Sequence, residues 1–195
     1  MIAGARDPSS RSLLPLYLYA GSFVGVLVAA FGFAAIATAG LAYATGNELV
    51  YGALPPEARY RMSEQFDVRR AEDLLRGLTF GVLGLSFWLV HRLGRSRMRG
   101  DDQTALRRGY ALLGAAVFGA STIVLLPPGI YKALSFWLLR FSDGYRQGVD
   151  VWLAGGVVSL VIWLLFLRLI LDELPVGGAW QRARSGPGAP PDQAR

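Results

Sequence analysis

Few side chains in this chain are equipped for chemistry. There is no cysteine, and His91 is the single histidine. Thiol nucleophiles, disulfides, iron–sulfur clusters and thiolate zinc sites are therefore excluded. One imidazole per chain cannot build a bis-histidine haem or a histidine-based metal centre. No Ser/His/Asp set, phosphate-cradling glycine loop or metal-ligand spacing appears. The sequence thus points to a non-enzymatic protein with no catalytic residue, no cofactor and no metal. His91 stands beside Arg92 where a long apolar run ends. It reads as an interfacial polar residue that helps end a helix. The sharper alternative is a headgroup contact or pH sensor, but no neighbour in the sequence offers it a partner for acid–base work.

Two other groups have a spacing with physical meaning. Arg92, Arg95, Arg97 and Arg99 crowd the end of the same apolar run. Basic groups next to a membrane attract anionic lipid at about 1 kcal/mol each, and they also act as topology determinants. Gly21 and Gly25 form a GxxxG pattern continued by Ala29, and Gly77 and Gly81 form a second with Gly84 close by. Such faces let helix backbones approach closely, either within one chain or between subunits.

The elements that must position these residues are set by composition. The chain has 195 residues, 53% of them hydrophobic and only 17% charged, with a net charge of +6. An ordinary soluble domain is about 25% charged. A nucleic-acid binder interleaves basic with polar residues, whereas here the charges sit in blocks between apolar runs. The pattern excludes a nucleic-acid partner in favour of membrane lipids, other membrane proteins or a second copy of the chain. All basic residues except Lys132 are arginine, which with abundant Ala and Gly reads as the codon usage of a GC-rich bacterium.

A bilayer core about 30 Å thick needs roughly 20 apolar residues per helix. Four spans follow, at about 14–44, 73–93, 108–127 and 150–171. The first lies in Ser12–Asn47, which holds no charge. It is too long for a signal-peptide core of about 7–15 residues and too short for two spans with a turn, so it reads as one retained helix that tilts or projects. Pro55-Pro56 breaks the chain after it, and a helix from about Glu57 to Leu75 is expected near the membrane surface, running into span two. After Pro127-Pro128, residues Tyr131, Leu134, Leu138 and Phe141 recur at helical spacing with Lys132 and Arg140. This predicts a separate interfacial amphipathic helix. Residues 1–12 and 173–195 flank the four-span domain, the latter as a disordered tail rich in Gly, Pro and Arg.

Four spans place the N-terminus, the middle loop and the C-terminus on one side. That side carries the densest basic cluster, so the positive-inside rule puts both termini in the cytoplasm of a bacterial inner membrane. The whole charge excess of +6 falls on that side. No acidic or basic residue sits in the middle of any span, which weighs against an ion- or proton-coupled transporter.

The halves of the chain can be superposed in sequence. Tyr17 to Val24 matches Tyr110 to Val117, and Phe87 to Leu93 matches Ile162 to Leu169 with one residue inserted. Two tandem helical hairpins of the same orientation would follow. Leu16-Tyr17-Leu18-Tyr19-Ala20-Gly21-Ser22-Phe23, Trp88-Leu89-Val90-His91-Arg92 and Ala105-Leu106-Arg107-Arg108-Gly109-Tyr110 also resemble recurrent segments of the bacterial membrane domain of unknown function 5671. The resemblance covers roughly Leu13 to Leu139. The chain departs from it at Gly109, where an apolar residue is usual, and at Ser86-Phe87, which lacks the proline often placed before the Trp. It implies a polytopic membrane fold and no activity. The function expected from sequence is a scaffold or accessory subunit packing through its small-residue faces. The alternative is a small transporter or pore without intramembrane charge.

Overall fold

The computed structural model describes residues 8–52, 56–97, 103–139 and 147–173. Its elements are α1 (Pro8–Thr45), α2 (Asn47–Tyr51), α3 (Pro56–Ser96), α4 (Gln103–Leu138) and α5 (Asp150–Glu173), with no strand among the described residues. Four stretches are long and apolar enough to cross a membrane: Leu13–Thr45, Glu64–Ser96, Thr104–Leu138 and Asp150–Asp172. Large apolar side chains such as Val82, Leu83, Val90, Ile123 and Val161 are exposed along them. In water such a surface would aggregate, whereas in a bilayer it is the face that lipid solvates. The protein is an all-α, multi-pass membrane protein.

α1 pairs with α3, α4 pairs with α5, and the two hairpins join mainly through α1 and α5. The α1–α3 seam is antiparallel and built on missing side chains. Gly25 lies against the backbone of Trp88, at Gly84 the seam opens onto the backbone of Ala29, and Gly32 lies against the backbone of Gly81. Gly77 faces Ile36 and the Gly32 carbonyl, and Gly21 faces the ring of His91. Lipid tails are as apolar as leucine, so nothing squeezes helices together in a bilayer as water would. Close van der Waals contact between backbones takes that role.

The second hairpin repeats this register. Gly114 faces the ring of Phe166, Gly119 faces Trp163, and Gly156 lies against the backbone of Leu126. Tyr17 meets His91 with ring centroids 5.4 Å apart, and Tyr110 meets Phe166 at the same 5.4 Å. Tyr17, Gly21, Trp88 and His91 of one hairpin thus correspond to Tyr110, Gly114, Trp163 and Phe166 of the other. The sequence alignment of the halves is also an alignment of contacts.

Two expectations are corrected. The segment after Pro127-Pro128 is not a separate interfacial helix but the last part of α4, which runs unbroken to Leu138. The two prolines withdraw hydrogen-bond donors from only the carbonyls of Ile123 and Val124. The helix packs closely on α5 here, with Gly129 against the backbone of Trp152 and Leu153. Such interruptions are tolerated in membrane helices where a neighbouring helix supports them. Nor does His91 help end α3, which continues to Ser96. The ring is buried at 4% exposure. Its Nδ1 donates to the Phe87 carbonyl at 2.7 Å, a bond within its own helix that satisfies one ring nitrogen. Between Pro56 and Ser96, α3 is continuous, so the charged stretch from Glu57 to Leu75 does run directly into span two. Arg99, Arg140, Phe141 and the tail from 174 onward lie outside the described residues.

Two glycine-to-alanine substitutions should separate seam from surface. A Cβ on Gly32 would collide with the Gly81 backbone, whereas one on Gly40 would meet nothing within 4 Å. Gly32→Ala is expected to lower stability by about 1–3 kcal/mol, as overpacking of a tight contact does. Gly40→Ala should leave stability unchanged or raise it by about 0.5–1 kcal/mol through helix propensity. Thermal unfolding of the detergent-solubilised variants reads both signs.

Candidate functional site

Because the hairpins join through α1 and α5, the helices follow the spatial order α3, α1, α5, α4, and α3 scarcely meets α4 or α5. A cleft of about 620 Å³ remains between α3 and α5, with α1 as its floor. Its depth is apolar: Val26, Ala29, Ala30 and Phe33 from α1, with Leu85 facing Ile162 and Leu165 across it. Its mouth is basic, with Arg92 and Arg95 near the end of α3 and Arg107 near the start of α4. Among the described residues, none that lines it is acidic.

Aromatic rings organise the mouth. The Arg95 guanidinium lies over Tyr19 at 4.6 Å and over Tyr110 at 5.0 Å from the ring centroids. These two rings touch each other with centroids 5.7 Å apart. Tyr110 also meets Phe23 and Phe166, so this one α4 residue contacts α1, α3 and α5 together. Arg92 lies over the Trp88 ring at 5.0 Å. Cation–π contacts of this kind hold a guanidinium in place without neutralising it. The Nε of Arg95 is buried and has no hydrogen-bond partner.

Comparison with family models, curated proteins and solved structures finds no match to this chain. The site therefore stands on its own geometry. Of the four arginines singled out in the sequence, Arg92 and Arg95 line the cleft, Arg97 is exposed just past the end of α3 without lining it, and Arg99 falls outside the described residues. Of the four glycines, Gly21, Gly25 and Gly77 lie directly in the α1–α3 seam, and Gly81 is the backbone that Gly32 rests on. These small-residue faces are occupied within the chain. Sequence reasoning missed Arg107 and Tyr110 as members of the mouth, since they come from the far side of a loop. It also missed Gly32, although that residue lies seven positions after Gly25, two helical turns along the same face. Among the described residues no three His, Asp or Glu side chains converge as a metal site would require.

Beyond the deep end of the cleft, the bundle is closed. α2 is flanked by Gly46 and Gly52, whose φ angles of 95° and 96° only glycine adopts without strain. These two bends fold α2 back onto the helix ends. Leu49 and Val50 then pack with Ala42, Phe136 and Val149 in a dry cluster. The Val149 amide donates to the Leu49 carbonyl at 2.9 Å, tying α2 to the entry of α5. The Tyr51 hydroxyl donates to Asp73 at 3.0 Å, and its ring stacks on Phe66.

Burial, and then the bond to the Asp73 carboxylate, hold the Tyr51 phenol above its ordinary value. A phenol whose pKa is raised by folding contributes stability in full below its unfolded value of about 10, and loses it as pH rises through the folded value. Tyr51→Phe should therefore lower stability by about 1 kcal/mol at neutral pH, the net worth of one hydrogen bond. It should also make stability fall less steeply above about pH 10 than in the wild type. Unfolding midpoints across that range check both effects.

Proposed function

We propose that this protein is a non-enzymatic module of the bacterial inner membrane, an accessory or scaffold subunit that holds an amphiphile in the cleft between its hairpins. The observation that carries this reading is an apolar cleft walled by α3 and α5, two helices whose outer faces are lipid-facing. Ligand sites of about 300–1,000 Å³ with mostly apolar walls are of the size that small molecules occupy, and this cleft falls in that range. With the glycine faces used inside the chain, the cleft is a concave surface open to a partner. The cluster of Ala42, Leu49, Val50, Phe136 and Val149 beyond its deep end supports a blind site over the alternative of a small transporter or pore. The positive-inside rule supports a cytoplasmic mouth, since Arg92, Arg95 and Arg107 belong to the most basic loop region.

Ala30 lines the cleft and is not part of the α1–α3 seam, so Ala30→Phe should fill the site and leave the fold standing. Protein purified gently from native membranes is expected to carry a lipid adduct in native mass spectrometry, and Ala30→Phe to lose it at unchanged thermal stability. Equal retention by both proteins, or none by either, would overturn the reading. For orientation, a fluorescent reporter that folds only in the cytoplasm should be bright on either terminus. Periplasmic phosphatase activity from either fusion would reverse the topology.

A further inference from the structure

The mouth and the depth of the cleft ask for different chemistry, and one molecule can meet both. We infer that the cleft selects a phospholipid whose headgroup carries net negative charge, drawn from the leaflet on the side of the middle loop, with the phosphate at Arg92 and Arg95. This rests on the reading of the cleft as an amphiphile site and names what that site prefers.

Charge is the first argument. Arg92 and Arg95 stand on the rim, and among the described residues no acidic side chain lines the cleft beside them. Arg95 is held between two tyrosine rings with its Nε buried and unpaired. A buried donor on a charged group without an acceptor is unfavourable, and a phosphate oxygen satisfies it with a charge-assisted bond. The planar guanidinium suits phosphate in particular, because it can present two parallel N–H donors.

Length is the second. From Leu85 to Arg95 the α3 wall rises about 15 Å at 1.5 Å per residue. That is half of a hydrocarbon core about 30 Å thick, so this wall matches the depth of one leaflet. A headgroup at the arginines leaves its acyl chain alongside Val26, Ala30, Leu85 and Ile162, among atoms that a soluble anion would not use. The floor carries Ala29 and Ala30 where larger residues would close the groove.

The test is competitive binding by native mass spectrometry. The purified full-length protein is presented with phosphatidylglycerol and phosphatidylcholine bearing the same acyl chains, and separately with glycerol phosphate. The expected result is at least a tenfold preference for phosphatidylglycerol, falling to near parity in Arg95→Gln and reduced in Arg92→Gln. Arg92 is exposed, so its variant keeps the test open if Arg95→Gln fails to fold. Glycerol phosphate should not displace the lipid at matched concentration. Equal binding of the two lipids would overturn the headgroup selection while leaving the amphiphile site intact, and binding of neither would overturn both readings. A preference that survives in both variants would overturn the assignment to these arginines. Displacement by glycerol phosphate alone would make the site one for a soluble anion.

Discussion

The fold depends on one constraint: in a bilayer, helices are held by contact and not by expulsion from water. α1 and α3 meet that constraint by removing side chains where they cross, so that Gly25, Gly32, Gly81 and Gly84 let backbone lie on backbone. The same solution recurs between α4 and α5 at Gly129 and Gly156. Everything else is arranged around two stiff hairpins. Polar groups that would be expensive in this setting are mostly absorbed locally: the Thr38, Ser121 and Thr122 hydroxyls donate to carbonyls four residues back in their own helices.

The hairpins repeat, but their assembly does not. A two-fold interface would match the contact of α1 with α5 by one of α3 with α4. Here the first helix of one hairpin meets the second helix of the other, α1 against α5, and α3 is left without a partner on that side. The cleft is the direct result of this mismatch. Its two ends differ for the same reason. At one end α2 and the entry to α5 fill the space with Leu49, Val50 and Val149. At the other, Tyr110 bridges to α1, α3 and α5 and leaves a gap bordered by arginine.

His91 and Phe166 show how one position in a repeat can diverge without disturbing it. Both rings sit over a glycine and beside a tyrosine. The imidazole is accommodated because the Phe87 carbonyl accepts its Nδ1 proton, where a phenyl ring needs no acceptor. The sole histidine of the chain is thereby a packing element of the first hairpin, in contact with Tyr17 and Phe87.

Much of the architecture was legible before any coordinates. Hydrophobic length and the scarcity of charge determine four membrane helices, because a bilayer admits only segments that satisfy their own backbone. Glycine spacing marks Gly21, Gly25 and Gly77 as contact positions, because only a residue without Cβ permits that approach. The matching of Tyr17 with Tyr110 and of Trp88 with Trp163 likewise follows from the halves of the chain alone. Local rules failed at Pro127-Pro128, where α4, packed against α5, continues through a pair that by itself signals a break. Tertiary structure alone decided which hairpin faces meet. That choice brings Arg92 and Arg95 beside Arg107 and Tyr110, puts Ala30 on an open floor rather than in a seam, and leaves the cleft. Sequence periodicity records which face of a helix is small or apolar. It carries no record of which other helix will cover that face, since in lipid every apolar face is already satisfied.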